Sequence, residues 1–142
     1  MERALEQILN LLLESERAGV AALDALIGEV THDELRKLLT TSREDEAVTA
    51  GQLEALIRSG GGSASAKVGP FAAKVAAAGA LQDRLKLLIH GEEWVARKVE
   101  EAIALAPAAG PVHDQLQRMA NRHRFEVEWG RAELIRLMNS QG

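Results

Sequence analysis

The chain of 142 residues contains no cysteine and no tyrosine. The first absence removes disulfides, thiolate metal sites, iron–sulfur clusters and cysteine nucleophiles. The second removes tyrosine as an acid, a nucleophile or a radical carrier. Aromatic residues are confined to Phe71, Phe125, Trp94 and Trp129, too sparse for a base-stacking platform. The formal net charge is −4 and no basic block occurs, so no nucleic-acid partner is expected. No uncharged apolar run approaches the roughly 18 residues that a membrane span needs. Met1-Glu2-Arg3 lacks the basic and apolar regions of a secretory signal, and a cytoplasmic location is the expectation. What remains is an ordinary globular balance, 46% hydrophobic and 27% charged. The length suits a single domain over residues 1–142 with a sizeable core.

Three breaks punctuate the chain. Thr31-His32-Asp33 is a brief one, with Thr31 or Asp33 placed to cap a helix. Ser59–Pro70 reads SGGGSASAKVGP, a flexible connection, and Pro107–Pro111 reads PAAGP, which stops any helix entering it. Between them lie four long segments, Glu2–Val30, Asp33–Arg58, Ala78–Ala106 and Val112–Asn139, rich in Ala, Leu, Glu and Arg. None alternates with a period of two. Phe71–Ala77 suits a short helix inside the middle connection. Two short links make two antiparallel helical hairpins, and the long link from Ser59 to Ala77 can run the length of a bundle. The predicted fold is therefore all-α, a four-helix bundle with one long crossover, which is the ferritin-like arrangement. A plain up-down-up-down bundle with a decorated loop is the alternative.

The core-facing stripes carry the functional signal. Each helix presents a seam at alternating spacings of three and four. In the first it reads Leu5, Leu9, Leu12, Glu16, Gly19, Leu23, Leu26, Val30. In the second it reads Leu35, Leu39, Ser42, Glu46, Thr49, Leu53, Leu56. In the third it reads Leu81, Leu85, Leu88, Glu92, Val95, Val99, Ala102, Ala106. In the fourth, Val112, Leu116 and Met119 lead to His123 and then Glu126, which competes with Val127 for the inward position. Glu16 lies about 15 residues before the first turn and Glu46 about 14 after it, so an antiparallel pair holds them level. The same count levels Glu92 with His123 and Glu126 about the second turn. Chance would scatter such residues; here all four helices place them in one mid-bundle layer.

Carboxylates in a dry core must be compensated or protonated. Iron or manganese, as a pair or a single ion, is one means, since glutamates and imidazole suit these ions. The candidate ligands are Glu16, Glu46, Glu92, His123 and Glu126. Two details depart from the pattern of such centres: Thr49 stands where a second-helix histidine would be, and the fourth helix reads His-x-x-Glu rather than Glu-x-x-His. Arginines are the second means, with Arg17, Arg43 and Arg97 nearest in sequence. Shared protons among the carboxyl groups and His123 are the third. Because only Arg43 can share a face with an acid of the layer, at least one carboxyl is expected to be protonated or metal-bound. Gly19, Ser42, Thr49 and Gly130 would leave room for a ligand beside the acids. His32, His90 and His113 flank helix ends and read as surface residues, and Trp94 points away from the Glu92 seam.

LLESERAG (Leu12–Gly19), REDEA (Arg43–Ala47), GGSASAKVGPFAAKV (Gly61–Val75) and RLKLLIHGEEWVARKVEEA (Arg84–Ala102) resemble the ferritin-like domain-of-unknown-function family numbered 6306. LQRMANRHRFEVEW in the fourth helix is compatible with it. The resemblance implies a four-helix ferritin-like domain and no established reaction. Through the di-iron branch of the wider superfamily it implies metal ligation by Glu16, Glu46 and Glu92, and by His123. The Ala-rich face of Phe71–Ala80 could pack against a second copy, giving a homodimer. A metal-free module acting through protein or small-molecule contacts is the competing expectation.

Overall fold

The computed structural model describes residues 1–141 and is built from helices. In chain order these are α1 (Arg3–Ile27), α2 (Asp33–Ser59), α3 (Phe71–Ala77), α4 (Leu81–Leu105) and α5 (Pro111–Gln141). The four long helices fall within a few residues of the predicted segments, and α3 occupies the predicted stretch. Their ends have local causes. At the start of α2 the cap is His32, not Thr31 or Asp33: its Nδ1 accepts from the Leu35 amide at 3.3 Å. Asp33 and Glu34 then lie in the first turn and Arg58 in the last, both favourable to the helix dipole. Pro111 opens α5, where its missing N–H costs nothing. The preceding Gly110 has φ 109°, a conformation that a side chain would strain.

The link between α1 and α2 is short, so these helices run antiparallel and pack closely, as do α4 and α5. Across the molecule α1 packs on α4 and α2 on α5. The path of the long connection follows from its contacts. The Met1 ammonium donates to the Gly60 carbonyl at 2.8 Å, which sets the end of α2 beside the start of α1. Asn10 then holds the strand-like stretch by donating to the Ser63 carbonyl and accepting from the Ser65 amide. Arg17 donates to the Ser65 and Lys67 carbonyls, and the Gly69 amide reaches Glu14. Finally Arg84, in the first turn of α4, pairs with Glu29 just beyond the end of α1. The connection thus travels the length of α1, and α4 starts at the opposite end from where α2 stopped.

The apolar core is in two parts. One gathers Leu9, Leu12, Leu53, Val99 and Met119 near the start of α1. The other gathers Leu23, Leu26, Leu35, Leu39 and Leu85 near its end. Many of these leucines are fully buried, each contributing about 1.5–3 kcal/mol on removal from water. Between the two clusters lie the buried polar residues Glu16, Ser42, Glu46, Thr49, Glu92, His123 and Glu126. No helix is long and apolar enough to cross a membrane among the described residues.

Candidate functional site

The stripe positions that interrupt the leucines meet in one layer. His123, fully buried on α5, stands at its centre. Its Nδ1 faces Glu92 Oε2 of α4 in a short hydrogen bond, and its Nε2 lies 2.8 Å from Glu16 Oε1 of α1. With a carboxylate on each ring nitrogen, the imidazole is held as the cation. Burial alone would lower its pKa, but the charge of Glu92 and the hydrogen bonds to Glu16 and Glu92 raise it to about 10. Burial likewise pushes the Glu92 carboxyl up, and the adjacent His123 cation more than offsets this and holds it below the usual range.

The cation that sequence reasoning missed is Arg122. Its Nη2 is 2.7 and 2.9 Å from the two Glu16 oxygens, and its Nε is 2.7 Å from Glu126 Oε1. Its Nη1 donates to Thr49 Oγ1 and to the Asp45 carbonyl of α2. A signal was present. Gln115, Met119, Arg122 and Glu126 form a second three-four stripe beside the one through Leu116 and His123. Arg122 and Glu126 are also four apart, the spacing of a helical ion pair. The arginines nominated from sequence serve elsewhere. Arg17 ties down the crossover and pairs with Glu54, Arg43 pairs with Asp24, and Arg97 is exposed.

Glu126 points inward, as its stripe position allowed, and accepts a short hydrogen bond from Ser42. Ser42 and Thr49 are therefore partners of the charged network. Burial and the charge of Glu92 raise the Glu126 carboxyl, and Arg122 and His123 restrain the rise to about 7. Glu46 differs from the other acids. It is 3% exposed, and its Oε2 has no hydrogen-bond partner. Burial, reinforced by the charges of Glu92, Glu16 and Glu126, pushes its carboxyl well above the usual range. The uncharged form of the Glu46 carboxyl is correspondingly favoured. The room for it comes from Gly19, where an added methyl would lie 2.6 Å from Glu46 Oε1.

All five nominated residues thus come together. Four carboxyl groups face two cations, so complete ionisation would leave two uncompensated charges in the core; the raised pKa values of Glu46 and Glu126 relieve this. Glu92, His123 and Glu126 each offer a ligand atom, all within 4.8 Å of one another. Opposite ligands of one ion stand about 4–5 Å apart, so this buried group could hold a metal ion. Of the other histidines, His90 is exposed and His113 half-buried on the first turn of α5. Trp94 is 37% exposed and carries the Lys98 ammonium 5.6 Å from its ring centre.

The profile of one protein family, the domain of unknown function DUF6306, matches residues 3–133. The chain belongs to this family. The match runs from the first turn of α1 into the last third of α5, so in this DUF6306 member the whole polar layer lies inside the family domain. No curated protein matches the chain.

Proposed function

We propose that this DUF6306 domain is a ferritin-like four-helix bundle, folded as one unit, whose polar layer binds a single iron or manganese ion. The observation that carries the reading is the convergence of Glu92, His123 and Glu126 between two apolar clusters. A mixed carboxylate–imidazole set suits these ions better than magnesium or calcium. Nδ1 of His123 faces Glu92, and Nε2 would then donate to Glu16, the carboxylate–histidine support that orients a metal-bound ring. Arg122 argues for one ion rather than a pair. It already occupies both oxygens of Glu16 and one of Glu126. A second cation beside the guanidinium would also have to overcome its repulsion.

A bound iron or manganese ion would supply redox or Lewis-acid chemistry. The chain's own contribution is to keep the layer dry, to hold Glu16 on Arg122, and to take up the proton that His123 must give up on ligation. Thermal unfolding with added manganese(II) tests the reading. The midpoint of the parent should rise by several degrees with millimolar manganese and far less with magnesium, because a ligand that binds only the folded state stabilises it. Glu92→Gln and His123→Ala should each lose the response. No rise in the parent would instead favour a metal-free module, whose charged layer fixes helix register while its outer surface makes the functional contacts.

A further inference from the structure

A cavity of about 400 Å³ opens between α1, α3 and α4 and reaches the polar layer from the side opposite Arg122. Gly19, Glu46 and Glu92 line its inner end, Phe71 and Trp94 its walls, and Lys74 its mouth. The short helix α3 roofs it. The tip of the Phe71 ring can approach α4 closely because position 91 is glycine: an added methyl there would sit 2.7 Å from Phe71 Cζ. The volume is that of a small-molecule site, and the lining is mostly apolar with a few convergent polar groups, as such sites are. Two features point to what it takes. Glu46 Oε2 is buried, without a partner, and belongs to a side chain that lines the cavity. Of the four carboxyl groups of the layer, Glu46 is the one without an ion pair among the described residues, since Arg122 serves Glu16 and Glu126, and His123 serves Glu16 and Glu92.

We infer that the cavity binds a small organic ammonium ion with an apolar body, its charged head on Glu46 and Glu92 and its body between Phe71 and Trp94. The ammonium supplies the donor that Glu46 Oε2 lacks. Aromatic walls favour a cation at the rim of the head group, and the apolar body displaces water from the cavity. Lys74 at the mouth repels a second cation and so favours a ligand with a single charged end. The inference goes beyond the metal reading and does not need it: the two share Glu92, whereas Glu126 and His123 do not line the cavity.

The probes are hexylammonium and 1-hexanol, which share an apolar body and differ in charge. Calorimetric titration of the full chain, stripped of metal and separately loaded with manganese, should show saturable hexylammonium binding. Hexanol should bind at least tenfold more weakly. Glu46→Gln keeps the size of the side chain and removes its capacity to ionise, and should weaken hexylammonium binding at least tenfold without weakening hexanol. Ser15→Phe, on the cavity wall and neither an ion ligand nor a partner of the charged head, should abolish binding of both probes and leave the manganese response intact. The inference is overturned if hexylammonium does not saturate, if the alcohol binds as well as the amine, or if Glu46→Gln binds the amine unchanged. Loss of the manganese response alone would sink the metal reading and leave this one standing.

Discussion

The two sides of the polar layer solve the same problem differently. Toward α2 and α5, Glu16 and Glu126 are bound by Arg122, His123 and Ser42, and every oxygen with a short contact has a donor. Toward α1, α3 and α4, Glu46 has a raised carboxyl pKa that favours the neutral acid, leaves one oxygen without a partner and borders a cavity. The first side is closed by charge pairing and the second by protonation. A buried ion network is costly to break but adds little net stability, so the closed side reads as the part that fixes the helices. An acid left unpaired beside open space is the side free to exchange partners.

Arg122→Leu should break the contrast most severely. It strips Glu16 and Glu126 of their shared cation, and losing one partner of a buried pair costs about 3–5 kcal/mol. Denaturant unfolding should show the loss as a lower midpoint with an unchanged slope. Next comes a matched pair of substitutions. Glu16→Gln removes a carboxylate that holds two cations and should cost about 2 kcal/mol. Glu46→Gln mimics the protonated acid and should leave stability unchanged or slightly higher. Equal costs for the two would erase the distinction between the sides.

The pH dependence of stability sharpens the comparison further. Glu126 is raised from 4.5 to about 7, so its contribution is complete below pH 4.5 and lost as pH rises through about 7. His123 is raised from 6.5 to about 10, so its contribution is complete below pH 6.5 and lost as pH rises through about 10. Glu46 acts in the same direction. Glu92, lowered, acts in the opposite one and loses its contribution as pH falls below 4.5. The unfolding midpoint should therefore decline steadily from mildly acidic pH to pH 10, and Glu126→Gln should make the decline between 4.5 and 7 shallower. The smallest effect belongs to the exposed pair of Arg43 and Asp24. Arg43→Ala should leave the midpoint where it was, because solvent screens that pair and it takes no part in the layer.

Much of this architecture is legible in the sequence, and the reasons are specific. The leucine stripes and the Gly/Pro breaks place the helices within a few residues, because periodicity and caps are local properties. Glu16, Glu46, Glu92 and His123 stand out because each interrupts a leucine stripe, and counting from the turns levels them. Arg122 escapes that reading because it sits one residue before His123, on a neighbouring stripe, and reaches the layer through the length of its side chain. The cavity escapes it for another reason. It exists because Gly19 yields to Glu46, Gly91 yields to Phe71, and α3 crosses above both, and no single helix contains that arrangement. The expectation that at least one carboxyl is protonated or metal-bound points to Glu46, where burial and three neighbouring acids raise the carboxyl pKa.

Metal stoichiometry tests the central claim, a layer that takes a single ion because Arg122 already holds Glu16, most directly. Full-length protein is dialysed against excess manganese(II) or iron(II), freed of unbound ion and measured by plasma mass spectrometry. The account predicts about one equivalent per chain, lost in Glu92→Gln and retained in Arg43→Ala. Two equivalents would mean that Arg122 yields its place to a second ion, and none would mean that the whole layer is closed by charge pairing and protons alone.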